Sequence, residues 1–392
     1  ISRKGSKVLN RFNMTVEGIL SFSSWLKENN CKKLAVESTG NYWHLVYQVL
    51  DNEFEFILGN AFKTRRHYGA KTDKRDAEWL AELCLNNQIE PSRILPKEDR
   101  ELRALTRARK GYVDFRSKLK SRTIQELEAC TIKLASELSD VFGKSGRHIL
   151  QGLVNCRSVD DIIQTIPSKR VKKNKDSIKQ AIQVGLSPVS IFLISSHLQM
   201  IDEVDKKLMQ LDAQISRLLK ARKKDVEIAM SMPGISFVSA SAILSEIGDY
   251  RKFASGKKLA AFCGIDPSVY ESAGKRYTGK ITKMGSKYLR RMMVECAHAF
   301  SKTKARTHLK RFYLRIMARR GKNIATVALA RKMLVVLHHL LINQETYKDD
   351  GLAKPKNVKV SISEEQDFPS LDEMVKVLVS AGYFVKKESN GG

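Results

Sequence analysis

Ile201, Val204, Leu208, Leu211, Ile215 and Leu218 recur at alternating spacings of three and four. Such spacing lays a single apolar seam along one face of a helix for about three heptads. A seam this long needs a second helix to cover it. The cover comes either from another helix of the same chain or from the same helix of a second copy. An intramolecular partner would have to be equally long, so a dimeric coiled coil is the expectation.

The region upstream of the seam is helical in pattern and strongly basic. From Pro96 to Cys130 it carries Arg103, Arg107, Arg109, Lys110, Arg116, Lys118, Lys120 and Arg122, with Asp114 among few acids. A charge run is usually a solvated helix face; the single sign here favours a track for phosphates. Residues 131–195 read as helices with breaks, at Gly143–Gly146 and in the cluster Lys169–Lys175.

Residues 1–93 alternate strand and helix signals. Lys7–Phe12 reads as a strand edge and Val16–Lys27 as a helix with Ile19, Leu20, Phe22 and Leu26 on one face. Lys33–Val36 is a short strand running into Glu37, Asn41–Leu50 a helix, Phe54–Leu58 a second strand, and Asp73–Leu85 a helix. This alternation predicts an α/β domain. Asp73 and Asp76, three apart at a helix start, share a face. Acids in a first turn are favoured by the helix dipole, and Thr72 or Asp73 suits the N-cap, so local helix chemistry accounts for them. Together with Glu37 they also offer hard oxygen donors from separate elements, which is what Mg2+ takes.

Toward the C-terminus, Met232-Pro233-Gly234-Ile235 precedes an apolar helix over Phe237–Ile247. The turn is either an ordinary helix connection or a helix-hairpin-helix whose amides hold a phosphate. Met284–Phe300 and Ile324–Ile342 read as long core helices. Between the apolar helix and these lies Phe262–Arg291, with Ser272 expected in a short turn between an apolar run and a basic helix. From Arg251 to Arg291 eleven Lys and Arg stand against Asp266 and Glu271. A loop serine is most often solvated or capping; a hydroxyl ringed by cations also suits attack on a phosphodiester. Beyond Tyr347 the chain turns Ser- and Glu-rich, with a short helix expected at Leu371–Val379.

A chain of 392 residues with 42% hydrophobic content has room for two or three domains, each with its own core. Its net charge of +28 is spread along most of its length, which makes nucleic acid the default partner and predicts salt-dependent binding. An anionic membrane ranks below it, because no basic amphipathic helix carries an exposed aromatic face. No apolar run reaches the roughly 18 residues that cross a bilayer, and no secretory leader is visible, so a cytoplasmic protein is expected. Six scattered cysteines form no CxxC pair, which argues for reduced thiols and against disulfides or structural zinc.

Three segments stand in a fixed order: AVESTGNYW, KTDKRDAEWLAEL, and PGI followed by AAFCGIDPSVYESAGKRYTGKITKMGSKYLRR. The ordered set resembles the IS-one-ten family of insertion-sequence transposases, relatives of the pilin-gene invertase, over residues 7–340. The resemblance implies a RuvC-like (RNase H-like) α/β domain with a DEDD acidic set at 1–95. A basic helical and coiled-coil region at 96–225 follows, then a mostly α transposase domain with a serine nucleophile at 226–345 and an appendage at 346–392. Glu37 matches the second acid, Asp73 the third and Asp76 the fourth; the first Asp is expected on a strand before Ile1. Ala61 stands where relatives often carry Pro. Ser272 in YESAGKR occupies the nucleophile position, with Ala273 in place of the common Gly.

The same resemblance implies Mg2+ at Glu37, Asp73 and Asp76, donor and target DNA as substrates, and a noncoding bridge RNA as guide. It also implies a dimer or tetramer whose site is shared between protomers. The expected nucleic-acid contacts are Arg103, Arg107, Arg109, Lys110, Lys275, Arg276, Lys280, Lys283, Arg290 and Arg291. Ser272 is expected to attack a DNA phosphodiester and form a 5′-phosphoserine link. Two other readings stay open: a RuvC-like metal-dependent junction nuclease that uses water, and a nucleic-acid-binding protein without catalysis.

Overall fold

The computed structural model describes residues 7–61, 63–65, 72–272, 274–304 and 307–349. The chain divides into two compact units, Ile1–Pro96 and Lys97–Gly392.

In the first unit, α1 (Val16–Glu28) starts where the Thr15 hydroxyl accepts from the Gly18 amide. It is followed by β1 (Lys33–Glu37), α2 (Tyr42–Leu50), β2 (Glu55–Gly59) and α3 (Asp73–Leu85). β1 and β2 pair in parallel, Lys33 opposite Glu55 and Glu37 opposite Gly59. Parallel strands need a crossover, and α2 supplies it. Ile19, Leu26, Leu34, Val46, Leu50 and Phe54 form the small core between helices and strands. The unit is therefore α/β. Lys7–Phe12, expected as a strand edge, has no regular structure. Phe12 instead packs its ring against Phe22 and Trp25, at centroid distances of 5.2 and 5.5 Å, so an aromatic contact replaces a strand ladder.

The second unit is built on two long helices, α4 (Lys97–Ala129) of 33 residues and α10 (Pro188–Leu219) of 32. Arg109 pairs with Asp212 and Arg116 with Asp205, so the two run antiparallel. Ile201, Val204, Leu208 and Ile215 are buried where α10 lies along α4. This corrects the dimeric coiled coil expected from the seam: an equally long partner exists within the chain. Between the two helices, α5 (Leu134–Glu137), α6 (Lys144–Val154), α7 (Val159–Gln164), α8 (Lys169–Lys172) and α9 (Lys175–Ile182) form a small bundle. It closes on Leu127, Ile149, Ile162, Ile178 and Ile194.

The main core gathers α11 (Lys223–Met230), α12 (Phe237–Ile247), α13 (Gly256–Cys263), α14 (Lys287–Ser301), α15 (His308–Arg320) and α16 (Lys322–Asn343). Leu102, Ile215 and Leu219 belong to that same core, so the expected division at 225 runs through one cluster. α16 is long and apolar enough by composition to cross a membrane. Here it is the central helix, with Leu329, Met333, Leu334, Leu337 and Leu341 fully buried. His338 is also buried, its Nε2 3.2 Å from the Phe253 carbonyl. α15 escapes an apolar-periodicity reading because only Leu309 and Tyr313 of its residues are buried.

The Met232–Ile235 turn is an ordinary helix connection. Gly234 has φ +88°, and a Cβ there would sit 2.7 Å from the Cys296 carbonyl oxygen and 2.9 Å from the Phe300 amide. The turn is thus pressed onto α14, and glycine is needed both for its backbone and for the close approach. The helix expected at Leu371–Val379 lies outside the described residues.

Replacing Leu208 or Ile201 by Ala is expected to lower the unfolding free energy by about 2–5 kcal/mol in urea titrations. The mass by light scattering should not change, since the seam is filled within one chain. All six cysteines are free, and burial pushes the Cys263 thiol up to about 12 and Cys296 to about 11. Only the thiolate reacts, so labelling near pH 8 should modify exposed Cys156 in the native protein and reach Cys263 and Cys296 only after unfolding.

Candidate active site

Glu37 is the last residue of β1 and is exposed, its Oε1 accepting from the Thr39 hydroxyl. Asp73 and Asp76 occupy the first turn of α3, where the Thr72 hydroxyl accepts from the Arg75 amide at 3.4 Å. α3 packs against β1. Lys33, at the start of β1, reaches Asn87, just past the end of α3, at 3.0 Å. The helix therefore runs antiparallel to the strand, and its first turn falls at the end of β1 that carries Glu37. Among the described residues none of the three carboxylates is ion-paired, although the chain is strongly cationic. Nor, among those residues, do three or more His, Cys, Asp or Glu side chains converge closely enough to hold a metal. The donor chemistry still fits Mg2+: hard carboxylate oxygens from two elements at one end of the unit.

In the second unit the segment expected as a turn before a basic helix is a β-hairpin. β3 (Pro267–Ser272) pairs antiparallel with β4 (Lys275–Ile281). Ser272 faces Lys275 across the ladder, Glu271 faces Arg276, and Tyr270 faces Tyr277. Gly274, at φ +74°, supplies the left-handed backbone of the turn. The hairpin carries little sequence signal because β3 is exposed on both faces and so lacks the apolar alternation that marks a strand. Ser272 is exposed, and no described residue hydrogen-bonds its hydroxyl.

The base of the hairpin is closed tightly. The Thr282 amide donates to the Asp266 carbonyl at 2.9 Å, Lys283 to Gly264 at 3.1 Å, and Ser286 to Phe262 at 3.2 Å. A Cβ on Gly285 would fall 2.0 Å from the Phe262 oxygen, so only glycine fits there. Arg290 donates to the Lys283 carbonyl at 3.0 Å and to the Cys263 carbonyl at 3.3 Å. Arg331 pairs with Asp266 from α16.

Several cations expected on nucleic acid are used inside the protein. Glu246, buried on α12, accepts from Arg107 at both oxygens (2.7 and 3.1 Å) and from the Ser286 hydroxyl at 2.7 Å. Arg103 donates to the Glu246 carbonyl at 2.7 Å, and the Arg107 guanidinium lies 4.3 Å from the Tyr288 ring centre. Arg109 forks onto Asp212 at 2.5 and 3.0 Å, and Lys110 pairs with Asp114, which holds that carboxyl below its usual range. Arg291 pairs with Glu295 at 2.6 Å. The α4 cations at 103, 107, 109 and 110 and the α14 pair at 290 and 291 thus brace helices and the hairpin base. Arg116 of the expected track pairs with Asp205, whereas Lys118, Lys120 and Arg122 take part in no ion pair among the described residues. Lys275, Lys280 and Lys283 are exposed and take part in no ion pair among the described residues. Arg276 stands on β4. The residue that the reading missed is Glu246; its signal was an acid set in the apolar run SAILSEIG.

Two family models match these two regions. One, described as transposase IS116/IS110/IS902 family, covers residues 226–314, and a DEDD transposase model of the IS110 type covers residues 1–132. The chain belongs to the IS116/IS110/IS902 family of transposases, enzymes that cut and rejoin DNA. It is 25% identical over 280 residues to the transposase for insertion sequence element IS1111A of Coxiella burnetii, spanning 71% of this chain and 68% of that protein. It is 31% identical over 161 residues to a probable family 20 transposase of Pseudomonas aeruginosa, spanning 38% of this chain and 47% of that protein. A putative transposase of Sinorhizobium fredii is 28% identical over 159 residues, 40% of this chain and 41% of that protein.

Glu246→Ala removes the buried carboxylate that accepts from Arg107 and Ser286 and is expected to cost about 1–3 kcal/mol of stability in urea unfolding. Lys110→Ala removes the partner of the half-exposed Asp114 and should cost no more than about 1 kcal/mol.

Proposed function

We propose that this chain cuts and rejoins DNA through the Ser272 hydroxyl, with the DEDD-type acids of a RuvC-like first unit serving the same reaction. The observation that carries the reading is the hairpin: an exposed serine beside Lys275, on a ladder whose base is closed by hydrogen bonds and by Arg290. A nucleophile must be presented accurately, and a clamped hairpin does this better than a free loop.

In the proposed step the Ser272 oxygen forms a bond to a DNA phosphorus. The bond from that phosphorus to the 3′ oxygen of the neighbouring nucleotide breaks. The proton of the serine hydroxyl ends on the departing 3′ hydroxyl, leaving a 5′-phosphoserine link whose attack by another 3′ hydroxyl rejoins strands without ATP. Lys275 and Lys280 offset phosphate charge as it builds up. Glu37, Asp73 and Asp76 would hold Mg2+, which supplies charge neutralisation and lowers the pKa of an attacking hydroxyl. The net charge of +28 suits simultaneous binding of donor DNA, target DNA and a bridge RNA. The protein acts as a homo-oligomer in this reading, though the α10 seam is no longer an argument for it.

A second reading has one observation in its favour. No described residue sits as a base on Ser272, which suits a metal-dependent nuclease that activates water instead. Strand-transfer assays with the purified variants separate the two. Under the serine reading, Ser272→Ala and Asp73→Asn both abolish recombination, by a factor of about a hundred or more. Normal cutting by Ser272→Ala with loss in Asp73→Asn would favour the nuclease.

A further inference from the structure

The two tyrosines of the hairpin have no role in the step above. Tyr270 and Tyr277 are 68% and 62% exposed, and they stand directly opposite each other in the ladder. Directly opposed residues of an antiparallel pair project from the same face, and residues two apart on a strand share a face. Tyr270, Tyr277, Ser272 and Lys275 therefore line one face of the hairpin. The tyrosine pair lies two residues from the Ser272–Lys275 rung, about 7 Å along the strand. That is close to the step between successive phosphates of an extended nucleic-acid strand.

Exposure of two aromatic rings calls for a reason. Neither ring contacts another aromatic among the described residues, and neither belongs to the main core. A two-stranded hairpin gains little stability from rings in water. Around them Lys275, Lys280 and Lys283 are exposed and without acid partners among the described residues. Exposed rings on a cationic strand pair make a surface on which bases stack while the amines meet the phosphates.

We propose that Tyr270 and Tyr277 form a stacking platform for unpaired DNA bases beside the phosphate that Ser272 attacks. The position relative to the cut rests on the serine reading; the platform itself does not. Its occupant is single-stranded DNA. Duplex DNA hides its base faces, so the platform engages a strand already opened, or holds one open next to the cut. This places Tyr270 and Tyr277 as substrate-binding residues, with ring faces and not hydroxyls as the working groups.

The test uses full-length protein and a twelve-nucleotide oligodeoxythymidylate carrying 5-iododeoxyuridine at one position. Irradiation should crosslink the oligonucleotide to Tyr270 or Tyr277, as read by mass spectrometry of the peptides. By anisotropy, the double variant Tyr270→Ala/Tyr277→Ala should bind the oligonucleotide about tenfold more weakly or worse. The double Phe variant should stay within about twofold, since it keeps both rings. Circular dichroism should match the wild type, because the side chains are exposed. Binding and crosslinking need no nucleophile, so failure of the nucleophile assignment would leave this result untouched. Crosslinks confined to other segments, wild-type affinity in the double Ala variant, or equal loss in the Phe variant would overturn the platform. Loss confined to oligouridylate RNA would also overturn it, in favour of an RNA occupant.

Discussion

The buried carboxylate of Glu246 ties α12, which carries it, to α4 and to the start of α14. It takes two hydrogen bonds from Arg107 on α4 and one from Ser286, the N-cap of α14. A buried charge is tolerable only when its partners are complete, and here they come from separate elements. The start of α14 is also the end of the hairpin base, where the Ser286 amide donates to the Phe262 carbonyl. One ion-pair network therefore links the long α4 to the segment that presents Ser272. Arg290 and the Asp266–Arg331 pair finish the clamp from α14 and α16.

The unit spends its cations in two ways. Arg103, Arg107, Arg109 and Arg116 on α4 and Arg290 on α14 are matched to acids or carbonyls of other elements. Lys275, Lys280 and Lys283 at the hairpin have no acid partner among the described residues. The second group is small, yet it sits around the one exposed serine that the family resemblance singles out. A single net charge for the chain hides this division. Its value of +28 draws in polyanions at long range, whatever the local pairing of its cations.

Much of the helical framework was legible because it obeys periodicity. The helices over Val16–Glu28, Asp73–Leu85, Phe237–Ile247 and Lys322–Asn343 follow from apolar spacing and from caps such as Thr72 and Ser236. The α10 seam was equally visible, but its partner was not. α4 reads as a charged helix, and its contact face includes Leu102, Thr106, Leu119 and Thr123, too mixed to announce a matching seam. The pairing is specified as much by Arg109–Asp212 and Arg116–Asp205 as by apolar contact, and such pairs across a hundred residues leave no local pattern. The hairpin was illegible for the opposite reason: β3, exposed on both faces, has no apolar face to alternate. Glu37, Asp73, Asp76 and Ser272 are proposed from ordered motifs, and the fold puts each on a definite element.

The central claim is that the Ser272 oxygen becomes bonded to DNA. The most direct measurement traps the protein on a recombination substrate, digests protein and DNA, and identifies the modified residue by tandem mass spectrometry. The expected product is a nucleotide phosphate on Ser272 in the peptide that spans the hairpin turn. A nucleotide on any other residue, or full recombination with no covalent protein–DNA species at all, would contradict it.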